Sequence, residues 1–550
     1  MSRLARAAFA SLAALVASGC VWIHPSEPLR PVPAGVAIPR FEPVAVDFAH
    51  RWDRTSAHHL TGAAVLDLDG DGRQELFVGG GAGQPDALLA LEGGRLVDRI
   101  AGTGLASTQA TYGSCAIDLD ADGDVDLVVA RNDGLTLYFN EGGRFAARPL
   151  AVALPEDSVP VAVAAADLEH DGDVDLYVSV FVDFPHFVPA TFNVPAHAKA
   201  NRLLRNDGGL RFTDVTSELT GSKQNTFTSL FVDLDGDRYQ DLVVAQNTGQ
   251  VELLRNTRDG GFAAVPLATG YGFWMGVAAG DVDRDGDQDL LFTNVGDSFP
   301  GFLARGDLRD DQPYAGGWLL LRNDGGFRFT DVTEEAGLAG LGFAWGAVFE
   351  DVNLDGRLDL LVSQNYVKWP VHRLFKFPGK VLLGTGDGLA FRPAEVAENR
   401  AYGNSPVLAD LDGDGRPDLF WLNNDGPSRA FLNRSGGDAV VVALPDAAGA
   451  LGARVRLEGA GASYTREVAS SSGLGSDHTT LLSFGLAAGA RPERLVISWA
   501  DGRTTAVEAP PANRPIRIEA PGMAALAPLA RRSGRALDPL VASPTLPRAR

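Results

Sequence analysis

The chain has 550 residues and a formal charge of −22, with 64 Gly, 32 Pro and 45% hydrophobic residues. That composition suits a soluble, turn-rich protein, and the acidic excess argues against nucleic acid as a partner. Two cysteines, Cys20 and Cys115, leave no framework of structural disulfides.

Residues 1–20 open with Arg3 and Arg6, continue through the apolar run Ala7–Val16 and end in Ala17-Ser-Gly-Cys20. A basic start, an apolar stretch too short to span a bilayer and small residues before a cysteine predict a cleaved leader. The pattern resembles a bacterial lipoprotein signal, with Ala17 where Leu is commoner. The resemblance implies lipid on Cys20 and, with Val21 following, an outer-membrane lipoprotein facing the periplasm or the outside. Secretory cleavage without lipid is the alternative. Residues 21–40 contain Pro25, Pro28, Pro31, Pro33 and Pro39, which predicts an extended tether of roughly 60 Å at about 3 Å per residue.

From residue 67 a nine-residue pattern recurs seven times, beginning as Asp67-Leu-Asp-Gly-Asp-Gly-Arg-Gln-Glu75. Positions 1, 3, 5 and 9 carry oxygen-bearing side chains in every copy. They are Asp67, Asp69, Asp71 and Glu75, then Asp118, Asp120, Asp122 and Asp126, then Asp167, Glu169, Asp171 and Asp175. Next come Asp233, Asp235, Asp237 and Asp241, and Asp281, Asp283, Asp285 and Asp289. The last two copies are Asp351, Asn353, Asp355 and Asp359, and Asp410, Asp412, Asp414 and Asp418. Carboxylates alternating on a tight turn converge on one point, where a hard cation of Ca²⁺ size can collect six or more oxygens. Position 7 (Arg73, Asp124, Asp173, Tyr239, Asp287, Arg357 and Arg416) would add its backbone carbonyl. Without a cation the same carboxylates repel one another, so the pattern predicts up to seven Ca²⁺ ions.

Small and apolar residues precede each loop, as in Gly62-Ala-Ala-Val-Leu66, and β-rich runs such as Leu76-Phe-Val78 follow. Each loop therefore reads as the turn of a β-hairpin, and the loops recur at roughly 50 to 70 residues, the length of a four-stranded propeller blade. The predicted fold is all-β: a seven-bladed β-propeller over residues 41–435. The sequence here resembles the FG-GAP/VCBS-repeat propellers, the group that includes the calcium-binding blades of integrin α-subunits. The phrases Asn206-Asp-Gly-Gly-Leu-Arg-Phe-Thr-Asp-Val-Thr216 and Asn323-Asp-Gly-Gly-Phe-Arg-Phe-Thr-Asp-Val-Thr333 carry the likeness. The last blade lacks a fourth strand of its own, and Phe41–Phe48 is expected to supply it and close the ring.

Departures rank the loops. Those at Asp67, Asp118, Asp281 and Asp410 are complete, whereas Glu169 must bend a longer arm and Asn353 removes a charge. In the Asp233 loop Arg238 replaces the position-6 glycine, which costs about 1 kcal/mol in a left-handed backbone and is expected to bring a positive charge near the ion. Weakest binding is predicted there.

Three blades carry extra residues after their second strand, at 183–201, 296–317 and 366–380. Strand parity places all three on the face opposite the Asp loops. They bring Phe184, His186 and Phe187, then Trp318, then Tyr366, Trp369 and His372. Aromatic residues beside Arg305, Arg309 and Lys368 suit a sugar or protein ligand; equally, the insertions could pack on one another and cap the channel.

Residues 436–520 change texture, with Val440-Val-Val-Ala-Leu444, Gly452-Ala-Arg-Val455, Ser470-Ser-Ser-Gly-Leu-Gly-Ser476 and Ile497-Ser-Trp499. Short alternating strands predict a small β-domain. It resembles the ASPIC/UnbV domain that follows such propellers in bacteria and in the cartilage acidic protein family. Residues 521–550, rich in Ala, Pro and Arg, read as a disordered tail.

No His-Glu-x-x-His pair, Gly-x-Ser-x-Gly elbow, phosphate loop or dinucleotide fingerprint occurs. His58-His59 reads as structural. The sequence thus predicts a non-enzymatic, calcium-stabilised, envelope-anchored propeller that binds a protein or glycan through its insertion face. An enzyme acting on polysaccharide or peptide at the same face, and a scaffold using the C-terminal domain, remain open.

Overall fold

The computed structural model describes residues 30–219, 224–296, 301–365, 377–386, 389–459 and 462–519. Cys20 and the leader, residues 21–29, Tyr366, Trp369, His372 and the tail from residue 520 lie outside the described residues.

Seven four-stranded antiparallel blades follow one another along the chain, the first and last joined into one nine-stranded sheet by the opening strand and the fourth carrying an extra short strand, Gly272–Phe273. Their first strands are Ala63–Leu66, Thr111–Ile117, Ser158–Ala166, Thr226–Val232, Val277–Gly280, Ala344–Glu350 and Tyr402–Ala409. Each lies beside the first strands of the blades before and after it, and the seventh lies beside the first, so the ring closes. Glycine permits the approach. A Cβ on Gly62 would stand 2.5 Å from the Gly113 Cα, and one on Gly276 would stand 2.9 Å from the Gly346 Cα. The second strands, such as Leu76-Phe-Val78 and Leu127-Val-Val129, are buried on both faces between neighbouring blades, which is why they are apolar without alternation.

The opening strand Phe41–Val46 is the fourth strand of blade 7, pairing from Phe41 opposite Asn433 to Val44 opposite Ala430. Its last residues, Ala45 and Val46, then run parallel to Arg95 and Leu96 in blade 1. One segment thus bridges the first and last blades.

The C-terminal region forms two sheets. Asp438–Ala443 lies between Leu481–Leu486 and Pro515–Arg517, and Arg454–Gly459 lies between Ala462–Glu467 and Pro492–Ser498. Their core includes Val440, Val455, Phe484, Ile497 and Trp499. This domain rests on the Asp-loop face of the propeller, where Asp118 donates its N–H to Asp446 O at 2.7 Å and Gly485 donates to Asp351 Oδ2 at 3.1 Å.

The segment between the strands ending at Glu467 and starting at Leu481 enters the propeller's central channel. Ser470 Oγ both accepts from Ala165 N and donates to Ala165 O at 2.7 Å, and Ser471 Oγ donates to Ser229 O. Gly473 exchanges backbone bonds with Val277, while Gly475 O accepts from Ser114 N. Asn404 donates to Leu474 O, and Asp477 accepts from Ala116 N at 2.6 Å while donating its own N–H to Ala63 O. A Cβ on Gly346 of blade 6 would come within 3.0 Å of Leu474 N. Every blade touches this plug.

Candidate functional site

The seven Asp loops share one backbone. Position 6 is left-handed throughout, with φ +88° at Gly72, +95° at Gly123, +92° at Gly172, +77° at Arg238, +102° at Gly286, +84° at Gly356 and +82° at Gly415. Position 4 is left-handed as well, including the non-glycine residues Ala121, His170, Arg284 and Leu354. The sequence did not signal this second feature, because those residue types do not mark a left-handed turn. With two left-handed residues the backbone curls around the position-1 carboxylate. In five loops its oxygens take the N–H groups of positions 5 and 6, as when Asp122 and Gly123 donate to Asp118 at 3.2 and 3.0 Å, and Asp67 takes that of position 6 alone.

Position 9 has a further task. In six loops one oxygen accepts the N–H of position 2 and the other the N–H at the end of the third strand. Asp289 takes Val282 N at 2.9 Å and Asn323 N at 2.8 Å, and Asp126, Asp175, Asp241, Asp359 and Asp418 repeat the pattern. Glu75 accepts Leu68 N. The third-strand asparagine then stitches blades together: Asn323 Nδ2 donates to Leu234 O, and Asn433 Nδ2 to Val352 O, each in a loop of another blade. These asparagines were visible as recurring letters but not as ligands of the backbone.

Carboxylate oxygens of Asp67, Asp69 and Asp71 lie within 4.8 Å of one another. The same holds for Asp118, Asp120 and Asp122, for Asp233, Asp235 and Asp241, and for Asp281, Asp283 and Asp285. Burial, with repulsion among neighbouring carboxylates, pushes Asp281 up to about 7, and Asp289 to about 8 despite the two backbone N–H bonds that Asp289 accepts. Buried oxygens without a hydrogen-bond partner occur at Asp67 Oδ1, Glu169 Oε2, Asp235 Oδ1, Asp412 Oδ1 and both oxygens of Asp281. At Asp67, Glu169 and Asp281 these orphaned carboxylate oxygens fit a cation, which would supply the missing partner. Asn353 Nδ2 donates to Ala37 O, which leaves its amide oxygen toward the loop, on Asp355 N.

Arg238 does not behave as expected. Its N–H donates to Asp233 Oδ2 at 2.9 Å, as the glycines do in five other loops, and its guanidinium lies against Gly502 of the C-terminal domain. The side chain is carried outward by the left-handed backbone, so it brings no charge onto the loop's carboxylates.

On the opposite face the first two insertions pack together. Asn193 Nδ2 donates to Gln312 Oε1 at 2.8 Å and Arg309 to Asn193 Oδ1 at 2.6 Å. Trp318, expected to face a ligand, is 5% exposed. It donates Nε1 to Gly342 O at 2.9 Å within the packing between blades 5 and 6. It immediately precedes a third strand, so its ring is drawn into the blade interface. His186 is exposed, its Nδ1 2.6 Å from Asp183 Oδ1. Phe184 and Phe187 are half-buried, their rings 5.6 and 5.8 Å from that of His58.

His58 is buried, donates Nε2 to Val182 O at 2.8 Å and is pulled down to about 4 by burial. Beside it, around the channel mouth, His59 stacks on Tyr402 at 5.8 Å and meets Trp52 at 5.2 Å. Arg54 lies 5.4 Å over the Trp52 ring and pairs with Asp425 at 2.6 Å. Trp52, Arg54 and Tyr402 were not singled out from sequence. Nothing in their spacing joins residues 52 and 402 until the ring closes.

A family model described as FG-GAP-like repeat matches residues 67–129, 118–178 and 233–292, and one described as ASPIC and UnbV matches residues 445–524. No curated protein matches the chain. Among solved structures, the BP39L lectin from Burkholderia pseudomallei is similar at 12% identity and TM-score 0.45, over 69% of this chain and 97% of that one. The V. cholerae biofilm matrix protein Bap1 is similar at 13% identity and TM-score 0.38, over 73% and 92%. The Bacillus licheniformis rhamnogalacturonan lyase PL11 is similar at 13% identity and TM-score 0.39, over 72% and 76%.

Proposed function

We propose that this chain, a propeller of FG-GAP-like repeats carrying an ASPIC and UnbV domain, is a calcium-stabilised, envelope-anchored binding protein that takes a glycan or protein partner on its insertion face. The observation that carries this reading is the seating of the C-terminal domain. It covers the Asp-loop face and fills the channel, so the insertion face, with Trp52, Arg54 and Tyr402 at its mouth, is the one left to meet a partner. Aromatic rings beside an Arg–Asp pair offer stacking area and orienting hydrogen bonds. Calcium in the loops would fix the hairpins of one rim and, through the blades, preorganise the other.

The anchor fits the same geometry. Arg40 N donates to Ser435 Oγ and Ala37 O accepts from Asn353, so the tether joins the propeller on the Asp-loop side. A lipid on Cys20 would therefore leave the insertion face pointing away from the bilayer.

Turnover at the same face has one observation in its favour: Asp157, Asp183 and His186 bring ligand atoms within 4.8 Å of one another there. The test is capture from a glycan panel and a cell-envelope extract, in calcium and then in EDTA, by the chain lacking residues 1–20. Calcium-reversible capture that Trp52→Ala and Arg54→Ala abolish is expected. No capture in either buffer, or capture indifferent to both substitutions, would overturn the assignment of this face, and loss of substrate from the panel would favour the enzyme.

A further inference from the structure

We infer that the loops at Asp233 and Asp410 are closed by arginine rather than by metal, and that the residue following the third-strand asparagine decides which. This rests on the reading that the other Asp loops take calcium.

The two loops stand apart at position 3, the carboxylate at the centre of the ligand set. Arg255 lies 2.8 Å from Asp235 Oδ2, and Arg434 donates to Asp412 Oδ2 at 2.6 Å. Among the described residues the nearest comparable pair elsewhere is Arg205 with Glu169, at 3.8 Å. Position 5 is engaged as well, although that does not set the two loops apart, since Arg73 pairs with Asp71 at 2.6 Å and Arg357 with Asp355 at 3.2 Å. Arg258 contacts Asp237 Oδ2 at 2.7 Å, and Arg434 and Arg416 contact Asp414 Oδ2 at 3.2 and 2.7 Å. Arg454 of the C-terminal domain adds a charge 3.7 Å from Asp233. A guanidinium at hydrogen-bond distance from position 3 repels a divalent ion and holds one oxygen of the carboxylate it would need, leaving Asp235 Oδ1 and Asp412 Oδ1 unpartnered.

The cause is one position in the sequence. In blades 3 and 5 the arginine before the asparagine, Arg205 or Arg322, donates instead to the aspartate after it, Asp207 or Asp324, at 2.8 Å. In blade 4 that aspartate is Thr257. Arg255, without the carboxylate its counterparts use, turns onto Asp235. In blade 7 the position is itself an arginine, Arg434, which reaches Asp412 and also donates to Glu42 in the opening strand at 3.1 Å. The ring-closing blade is therefore pinned by an internal cation that joins the first and last strands, and its closure is independent of calcium.

The test counts Ca²⁺ bound to the full chain by equilibrium dialysis and metal analysis, for the wild type, Thr257→Asp, Arg434→Gln and Asp281→Asn. The wild type should bind at least two fewer ions than it has loops. Thr257→Asp, on an exposed hairpin, and Arg434→Gln should each add one ion, and Asp281→Asn should remove one. In EDTA the amides of Phe41–Val46 should exchange at their calcium rate in the wild type and at least about tenfold faster in Arg434→Gln. If Asp281→Asn loses an ion while neither arginine-releasing variant gains one, the inference is overturned and the calcium reading stands. If no variant binds calcium, both fall.

Discussion

Leu474→Ala is the sharpest probe of how the two domains are joined. Leu474 is 2% exposed at the tip of the channel plug and belongs to one apolar cluster with Tyr112, Phe227, Phe343 and Trp345, from blades 2, 4 and 6. The inner strands around it are held by glycine-tight contacts and cannot collapse inward, since a Cβ on Gly113 would already meet Val161 O at 2.6 Å. The substitution therefore leaves most of its cavity open, which puts the cost at about 3 to 5 kcal/mol, the upper part of the range for buried Leu→Ala. Urea unfolding in calcium, followed by tryptophan fluorescence and by far-UV circular dichroism, measures it. The expected result is a lower midpoint with an unchanged slope and coincident transitions, because plug and ring unfold together. A loss below about 0.5 kcal/mol, or a C-terminal transition separate from an unshifted propeller transition, would show that the plug is a passenger.

Ser470→Ala removes the hydroxyl that satisfies both backbone groups of Ala165, and leaving those groups buried and unpaired should cost about 1 to 3 kcal/mol in the same unfolding assay. Removing residues 41–46 exposes the edge of Arg429–Asn433; the cooperative thermal transition should be lost, and a normal transition would refute closure by that strand. Burial holds His50, His58 and His478 neutral in the fold, each lowered from 6.5 to about 4. The unfolded chain takes up protons first as pH falls, so their contribution to stability is full above about 6.5 and is lost toward about 4. His58→Gln should therefore flatten the dependence of the thermal midpoint on pH across that window, and an unchanged slope would sink the assignment.

The ring was legible because its chemistry repeats: one acidic turn, seven times, between apolar runs of strand length. What escaped was set by contacts between distant residues. Ala121, His170, Arg284 and Leu354 sit left-handed because the loop imposes it, not because their own propensity favours it. Trp318 looked like a surface aromatic until the insertion was seen to end one residue before a buried strand. The channel mouth joins Trp52 to Tyr402 through ring closure alone.

Ser470-Ser-Ser-Gly-Leu-Gly-Ser476 is the instructive case. Read by itself it is a polar, glycine-rich loop, and that reading is correct for its local propensity. Its composition has a second cause, visible only in place. Seven inner strands that approach through Gly62, Gly113, Gly276 and Gly346 leave a channel too narrow for large side chains. Their edges also present backbone groups, as at Ala165, Ser229 and Val277, that a small hydroxyl or a bare peptide can satisfy. Serine and glycine meet both demands, and Leu474, the one large residue of the run, joins the aromatic cluster of Tyr112, Phe227, Phe343 and Trp345. The glycines of the propeller and the Ser/Gly run of the C-terminal domain are thus two halves of one packing solution. A Cβ at Gly346 would meet Ser405 Oγ at 2.6 Å and Leu474 N at 3.0 Å, so a substitution there presses on blade 7 and on the plug together.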